Sequence, residues 1–200
     1  MQAWMAYRHI WLPSVGYPLA CSSLSNVQLS AIQKMAIRDF LPHLGFPRSF
    51  PRAVLYGPTE CGGMALPTLN SRQGIEQTIL FLQHYRLQDN PGKLVRIAVD
   101  WLQLFCGVSF PLFAAPQISV PQAPQGWLTS CRDFLAQCNG RIMLAKDYVR
   151  VPQALRQSDK ILMNEFMRLN LKPCQVKLLN YCRLYLFIRN LFPRWQTHIT

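Results

Sequence analysis

The 200-residue chain is short of charge: Asp, Glu, Lys and Arg together make up 15% of it, against roughly 25% in ordinary soluble domains. Acidic residues are scarcest, nine in all, which leaves few carboxylates for acid–base work. The seven cysteines form no C-x-x-C pair, and His9, His43, His84 and His198 stand alone. The ligand spacing of a zinc site is therefore missing, and no metal is expected. H-E-x-x-H, G-x-S-x-G and Walker sequences are absent. Gly62-Gly63 lacks both a third glycine and the following Lys-Ser/Thr of a phosphate loop, so it reads as a tight turn. Cys61, beside Glu60, has no histidine nearby in sequence to serve as a base, which argues against a thiol hydrolase. Neither a cofactor nor a small-molecule substrate is indicated.

Membrane and export signals are also weak. Trp101–Val120 carries no formal charge and is long enough to span a bilayer,. Gln103, Gly107, Pro111, Pro116 and Gln117 interrupt it, which favours a buried helix followed by a proline-rich loop. Ile10–Cys21 is broken by Pro13, Gly16 and Pro18 and makes a poor signal segment,. An odd, scattered set of cysteines reads as buried free thiols in a reducing, intracellular compartment.

What the chain does have is apolar bulk and positive charge. Half its residues are hydrophobic, 12% are aromatic, and the net charge is +12. That rules out a disordered tail and suits a piece of a larger nucleic-acid-binding protein. No internal repeat is present.

The pattern along the chain predicts a mainly α-helical array of about seven helices, with one or two short β-hairpins. A short N-terminal helix through about Trp11 gives way to an extended turn. Ser25-x-x-Gln28 is a capping box opening a helix to about Leu41, with Leu29, Ile32, Ala36 and Phe40 as its apolar stripe and Lys34 and Arg38 as a basic pair. Ala53–Tyr56 reads as a strand that Met64–Leu66 pairs with, giving a hairpin near 53–66. Asn70 or Ser71 caps the next helix, which carries Ile75, Thr78, Ile79, Leu82 and Tyr85 on one face. Asn90-Pro91 caps another, with Leu94, Ile97, Ala98, Trp101 and Phe105 inward, Lys93, Arg96, Asp100 and Gln103 outward, and a stop at Gly107. The two are expected to pack as a helical hairpin.

Residues 108–126, with Pro111, Pro116, Pro121 and Pro124, read as a structureless connector between an N-terminal region, 1–107, and a basic C-terminal region, 127–200. In the latter, Trp127–Cys138 forms a helix stopped by Asn139-Gly140. Ile142–Leu144 and Tyr148–Val151 form a small hairpin. Ser158 caps a helix bearing Ile161, Leu162, Phe166 and Leu169, and Pro173 opens a last helix to about Phe192.

Positive charge is concentrated late. Residues 131–200 hold twelve Lys/Arg against four Asp/Glu, the first 130 nine against five. At about 100° per residue, Arg183 and Arg194 share a helix face but Lys177 and Arg189 do not, so no single phosphate-tracking stripe forms. A diffuse basic surface interleaved with Tyr181, Tyr185, Phe187 and Trp195 remains; the alternative is a solvated helix whose aromatics are core. Candidate phosphate contacts are Arg141, Lys146, Arg150, Lys177, Arg183 and Arg194, with Arg48 and Arg52 in an earlier loop.

Trp11-Leu12-Pro13-Ser14-Val15-Gly16-Tyr17-Pro18-Leu19 and Ile32-Gln33-Lys34 are the first of several blocks with a family likeness. Pro51–Pro58, Gly62–Leu66 with Gln73, and Asn180–Leu186 follow them. Together they resemble the region downstream of the polymerase core in non-LTR-type retrotransposon proteins of unicellular eukaryotes, including diatoms. In those proteins such a helix and Gly-Gly turn follow the palm, in the thumb or the linker beyond it. The family's polymerase needs metal-binding aspartates, usually with an adjacent pair. Here Asp39, Asp89, Asp100, Asp133, Asp147 and Asp159 lie singly. The resemblance therefore implies a non-catalytic fragment whose partners are RNA or an RNA–DNA hybrid and an upstream polymerase domain. A second expectation is an interaction module that packs on that missing domain without binding nucleic acid; a weaker third is a membrane-associated protein built around 101–120.

Overall fold

The computed structural model describes residues 2–87, 89–144, 151–152 and 159–188. They are mainly helical, as expected, and divide into two compact units, 1–83 and 84–200. Among the described residues there is no β-strand, only an isolated antiparallel bridge between Ile161 and Phe187. No described helix is long and apolar enough to cross a membrane.

In the first unit, α1 (Gln2–Ala6), a π turn (Tyr7–Trp11) and α2 (Leu12–Leu19) follow one another without a break. The extended turn expected after Trp11 is absent. Leu12 N–H reaches back five residues to Tyr7 O, and this wider turn comes immediately before Pro13. A proline ring crowds the carbonyl four residues earlier, so the widening lets the helix continue. Helix α3 (Asn26–His43) begins at the capping box read from the sequence: Ser25 N–H donates to Gln28 Oε1 at 2.9 Å, and Gln28 N–H to Ser25 Oγ at 3.4 Å.

The hairpin near 53–66 is not formed. Residues Arg52–Tyr56 make a helical turn, α4, started by Pro51. Met64–Leu66 does pair back, but onto the open carbonyl end of that helix: Met64 N–H donates to Val54 O at 2.8 Å and Leu66 N–H to Leu55 O at 3.0 Å. The pairing and its partner segment were legible and the partner's helical form was not, because a helix end offers unpaired carbonyls much as a strand edge does. Gly62 (φ +76°) and Gly63 make the turn, and a Cβ on Gly63 would lie 2.2 Å from Gly57 O.

Helix α5 (Leu69–Arg86) is opened by Thr68, whose hydroxyl accepts from Ser71 N–H at 3.1 Å. Of the face read from the sequence, only Tyr85 is buried. Leu69, Gln73, Gln77, Phe81 and Tyr85, spaced by four, are buried, whereas Ile75, Ile79 and Leu82 are exposed. Gln73 Nε2 donates to Leu24 O (3.1 Å) and Gln77 Nε2 to Ser22 O (2.6 Å). The loop between α2 and α3 thus finds its hydrogen bonds on that face of α5. The core of this unit joins Tyr7, Leu12, Leu19, Leu29, Ile37, Leu41, Leu55, Leu66 and Leu69. Within it Tyr7 stacks on Trp11 (4.9 Å) and meets the edge of Phe40 (5.0 Å).

In the second unit, α6 (Asn90–Cys106) is capped by Asp89, one residue before the expected Asn90, with Gly92 N–H on Asp89 Oδ1 at 2.8 Å. It ends at left-handed Gly107 (φ +61°), as read. Lys93 is exposed as expected, but Leu94 is 66% exposed and Trp101 55%, while Gln103 is 1% exposed. The Gln103 amide donates to Val108 O (3.0 Å) and Phe110 O (2.9 Å) and accepts from Leu112 N–H (3.1 Å).

Those bonds fold the proline-rich segment 108–126 into the second unit, where Val108, Leu112, Phe113, Val120 and Gln122 are buried. The observed division at 83/84 lies elsewhere, inside α5. Helix α7 (Trp127–Gln137) holds the segment from the other side. Buried Arg132 donates to Leu112 O (3.0 Å), Ala115 O (3.1 Å) and Ile118 O. A loop with four prolines has few N–H groups to pair its own carbonyls, and a guanidinium supplies them from outside.

Residues 141–144 are irregular; the second expected hairpin and the Ser158 cap involve residues outside the described ones. Helix α8 (Leu162–Arg168) and α9 (Pro173–Cys182) follow. The last helix stops ten residues before the expected Phe192, because Arg183 leaves it in an extended conformation (φ −68°, ψ 132°).

Candidate functional site

The candidate phosphate contacts fall into three groups. Lys146, Arg150 and Arg194 lie outside the described residues. Arg141 and Lys177 are exposed in the second unit. Arg183 is occupied by the fold. Its Nη2 donates to Leu104 O (2.9 Å) and Phe105 O (2.7 Å), closing the last turn of α6, and its Nε donates to Asn180 Oδ1 (2.7 Å). A cation at a helix C-terminus opposes the negative end of the helix dipole, so Arg183 acts as a cap and drops out of the phosphate set.

Arg48 and Arg52 are both exposed in the first unit, with Arg52 Nη2 within 3.4 Å of Arg48 O. Arg52 lines a cleft of about 590 Å³ together with Lys34, Tyr56, Asn26, Ser30 and Asn70. The lining contains two cations, several neutral polar groups and no carboxylate. Asn26, Ser30, Gln33, Lys34 and Ile37 come from one face of α3 at spacings of three and four,. Arg52 and Tyr56 come from α4, four apart.

Gln33 fixes the floor of the cleft: its Oε1 accepts from Leu69 N–H at 2.9 Å and its Nε2 donates to Pro67 O at 3.3 Å. Burial pushes the Tyr56 phenol up, against the opposing pull of Arg52 and a hydrogen bond with Gln33, so it stays a neutral hydroxyl. Lys34 and Arg38 stand one turn apart on α3, as the sequence pairs them, but only Lys34 lines the cleft. Arg38 meets Asp39 at 3.4 Å. Lys34 was missed as a site residue because its partner cation, Arg52, is 18 residues away in sequence, in a segment read as a loop.

Other chemistry is thin. Among the described residues no three His, Cys, Asp or Glu side chains come together to hold a metal. All seven cysteines are unpaired; Cys106 and Cys131 are buried as expected, whereas Cys21, Cys61, Cys138, Cys174 and Cys182 are exposed. Burial pushes the Cys106 thiol up to about 12 despite the nearby Arg132 and Arg183 guanidiniums, so it stays protonated and unreactive. No protein-family model, curated protein or solved structure matches the chain.

Proposed function

We propose that the chain is a non-catalytic, nucleic-acid-associated piece of a retrotransposon reverse transcriptase-like protein, binding single-stranded RNA or an RNA–DNA hybrid. The observation that carries this is the carboxylate-free cleft in which Lys34 and Arg52 face the same space, in a chain of net charge +12. Cations that meet phosphates without a competing acid release counterions and gain affinity. Asn26, Ser30 and Asn70 add neutral donors for sugar and phosphate oxygens,. An intracellular, reducing location belongs to the same reading and is supported by five exposed, unpaired thiols,. The polymerase chemistry and an upstream partner domain are carried by the sequence resemblance alone.

The test is binding of labelled single-stranded RNA to the intact chain across a salt series. Affinity falls steeply with salt, and Lys34→Gln with Arg52→Gln flattens the log–log slope by about 1.4, two single-strand phosphate contacts at about 0.7 each. No binding at low salt, or an unchanged slope in the double variant, refutes it.

One observation favours a second reading, an interaction module that binds protein and not nucleic acid. Leu94, Ile97, Trp101 and Leu104 are all exposed along one side of α6, and Trp101 stacks on Phe105 at 5.1 Å. Their 3-4-3 spacing is that of a helix–helix seam. In this reading the face is covered by another domain, and RNA binding is absent at all salt concentrations.

A further inference from the structure

Helix α6 has two opposite faces. Gly92, Val99, Leu102, Gln103 and Cys106 are buried, and turned away from them Leu94, Ile97, Trp101 and Leu104 stand exposed. At about 100° per residue, the two edges of this apolar stripe differ. Lys93 and Asp100 lie along one edge, Ala98 and Phe105 along the other. Among the described residues neither Lys93 nor Asp100 forms an ion pair. Seven residues apart, they are separated by about 10 Å along the helix and do not reach each other. A stripe with opposite charges one heptad apart on the same edge is complementary to itself. When two copies of such a helix lie antiparallel about a two-fold axis, each edge meets the same edge of the other copy.

We propose that α6 is a self-association surface whose partner is a second copy of this chain, packed antiparallel. The stripe supplies the apolar burial, and the charged edge sets direction and register. With the two-fold axis level with residues 95 and 96, Leu94 meets Ile97 of the second copy and Asn90 meets its Trp101. Lys93 then lies within about 3 Å of rise of the second copy's Asp100, and symmetry forms that pair twice. Sliding the helices to match Leu94 with Leu104 sets the two Asp100 carboxylates against each other instead, which like charges oppose. A parallel pair puts Lys93 and Asp100 against Ala98 and Phe105 and leaves both charges without a partner. An unrelated domain needs the apolar stripe but has no use for both signs on one edge. This inference rests on the reading of the α6 face as a protein interface, and it uses no residue of the Lys34–Arg52 cleft.

The test is sedimentation equilibrium of the intact chain up to about 200 μM. Salt at about 0.15 M confines the repulsion between two basic chains to about 8 Å. The mass rises with concentration to that of a dimer, and Ile97→Gln with Trp101→Gln keeps the chain monomeric with an unchanged circular dichroism spectrum. Lys93→Glu and Asp100→Lys, each alone, weaken association about tenfold, because either inversion makes both symmetric pairs repulsive. The two changes move net charge in opposite directions, so a loss in both does not come from overall repulsion. Mixed in equal amounts, the two variants associate as tightly as the parent, since the heterodimer restores both pairs; the chain carrying both substitutions does the same. A chain that stays monomeric at about 200 μM overturns the second-copy inference alone and leaves the face open to another domain. A dimer indifferent to Ile97→Gln with Trp101→Gln overturns both that inference and the α6 interface. Charge variants that do not recover on mixing overturn the antiparallel pairing.

Discussion

Gln103 and Leu94 lie on α6 with their expected roles exchanged, and their alanine variants give opposite answers under the two orientations. Gln103 is almost fully buried, and its amide serves two carbonyls and one N–H of the segment that follows the helix. Truncation strands those three backbone groups. Each buried group left unpaired costs about 1–3 kcal/mol, and because they belong to one loop that can relax, we expect a total of about 3 kcal/mol for Gln103→Ala. Leu94 is 66% exposed. Full burial of a leucine is worth about 1.5–3 kcal/mol, so removing the third that is covered costs under about 1 kcal/mol, partly offset by alanine's helix preference. Had Leu94 faced the core, its truncation would cost about 2–5 kcal/mol and Gln103→Ala would be close to neutral.

Urea denaturation of the two variants beside the parent, followed by far-ultraviolet circular dichroism, reads the order directly from midpoints at constant slope. In heating experiments the Gln103 variant loses several degrees, at about 2–4 °C per kcal/mol for a chain of this size. A larger loss for Leu94→Ala than for Gln103→Ala refutes the orientation of α6 described above.

Three further predictions concern a buried arginine and the cysteines. Arg132→Lys costs about 3 kcal/mol, because one ammonium cannot serve carbonyls at Leu112, Ala115 and Ile118 together,; an unchanged urea midpoint, with no gain in proteolysis within 112–118, counts against this. In the native chain a thiol-reactive dye titrates five cysteines and reaches Cys106 and Cys131 only after unfolding. The raised Cys106 pKa also fixes a pH dependence. The folded chain keeps its proton where the unfolded thiol, near 9, loses it, so this contribution is complete below pH 9 and falls as pH rises towards about 12,. Cys106→Ala flattens that alkaline limb, and an equal alkaline loss in the variant assigns the effect elsewhere.

The helical class, the Ser25 capping box, the Gly107 stop and the Asn139-Gly140 stop were all legible, because each rests on a local backbone requirement. Helix orientation was not. Apolar periodicity selects the aliphatic face, but Gln73, Gln77 and Gln103 are buried by a demand that periodicity does not register. Each adjoining loop leaves carbonyls or N–H groups that need a partner, and an amide offers both a donor and an acceptor. The same demand explains Arg132 and removes Arg183 from the phosphate set. Prolines misled in a related way. Four of them in 108–126 suggested a linker, whereas loops rich in proline and poor in N–H can be held by side chains of flanking helices. The Lys34–Arg52 cleft was half legible, since Arg52 was named from its loop and Lys34 was not.

The glutamine burial accounts for the large apolar side chains exposed on α5 and α6. Side chains that would ordinarily face solvent on α5 and α6, the glutamines, are spent inside on loop backbone, and aliphatics take their place outside. A surface assembled that way is apolar without being a failed core, and it raises a question that the basic residues alone do not. Phosphate binding needs the cleft of residues 1–83; a protein partner needs the stripe on α6, in residues 84–200. Substitutions in the two places share no partner, so their effects on binding should add. Lys34→Gln with Arg52→Gln should weaken RNA binding and flatten its salt dependence while leaving any self-association or partner binding intact, and Ile97→Gln with Trp101→Gln should weaken that association and leave RNA binding intact. A loss of both activities from either pair would mean that one surface serves both, and the separation into two roles would fall.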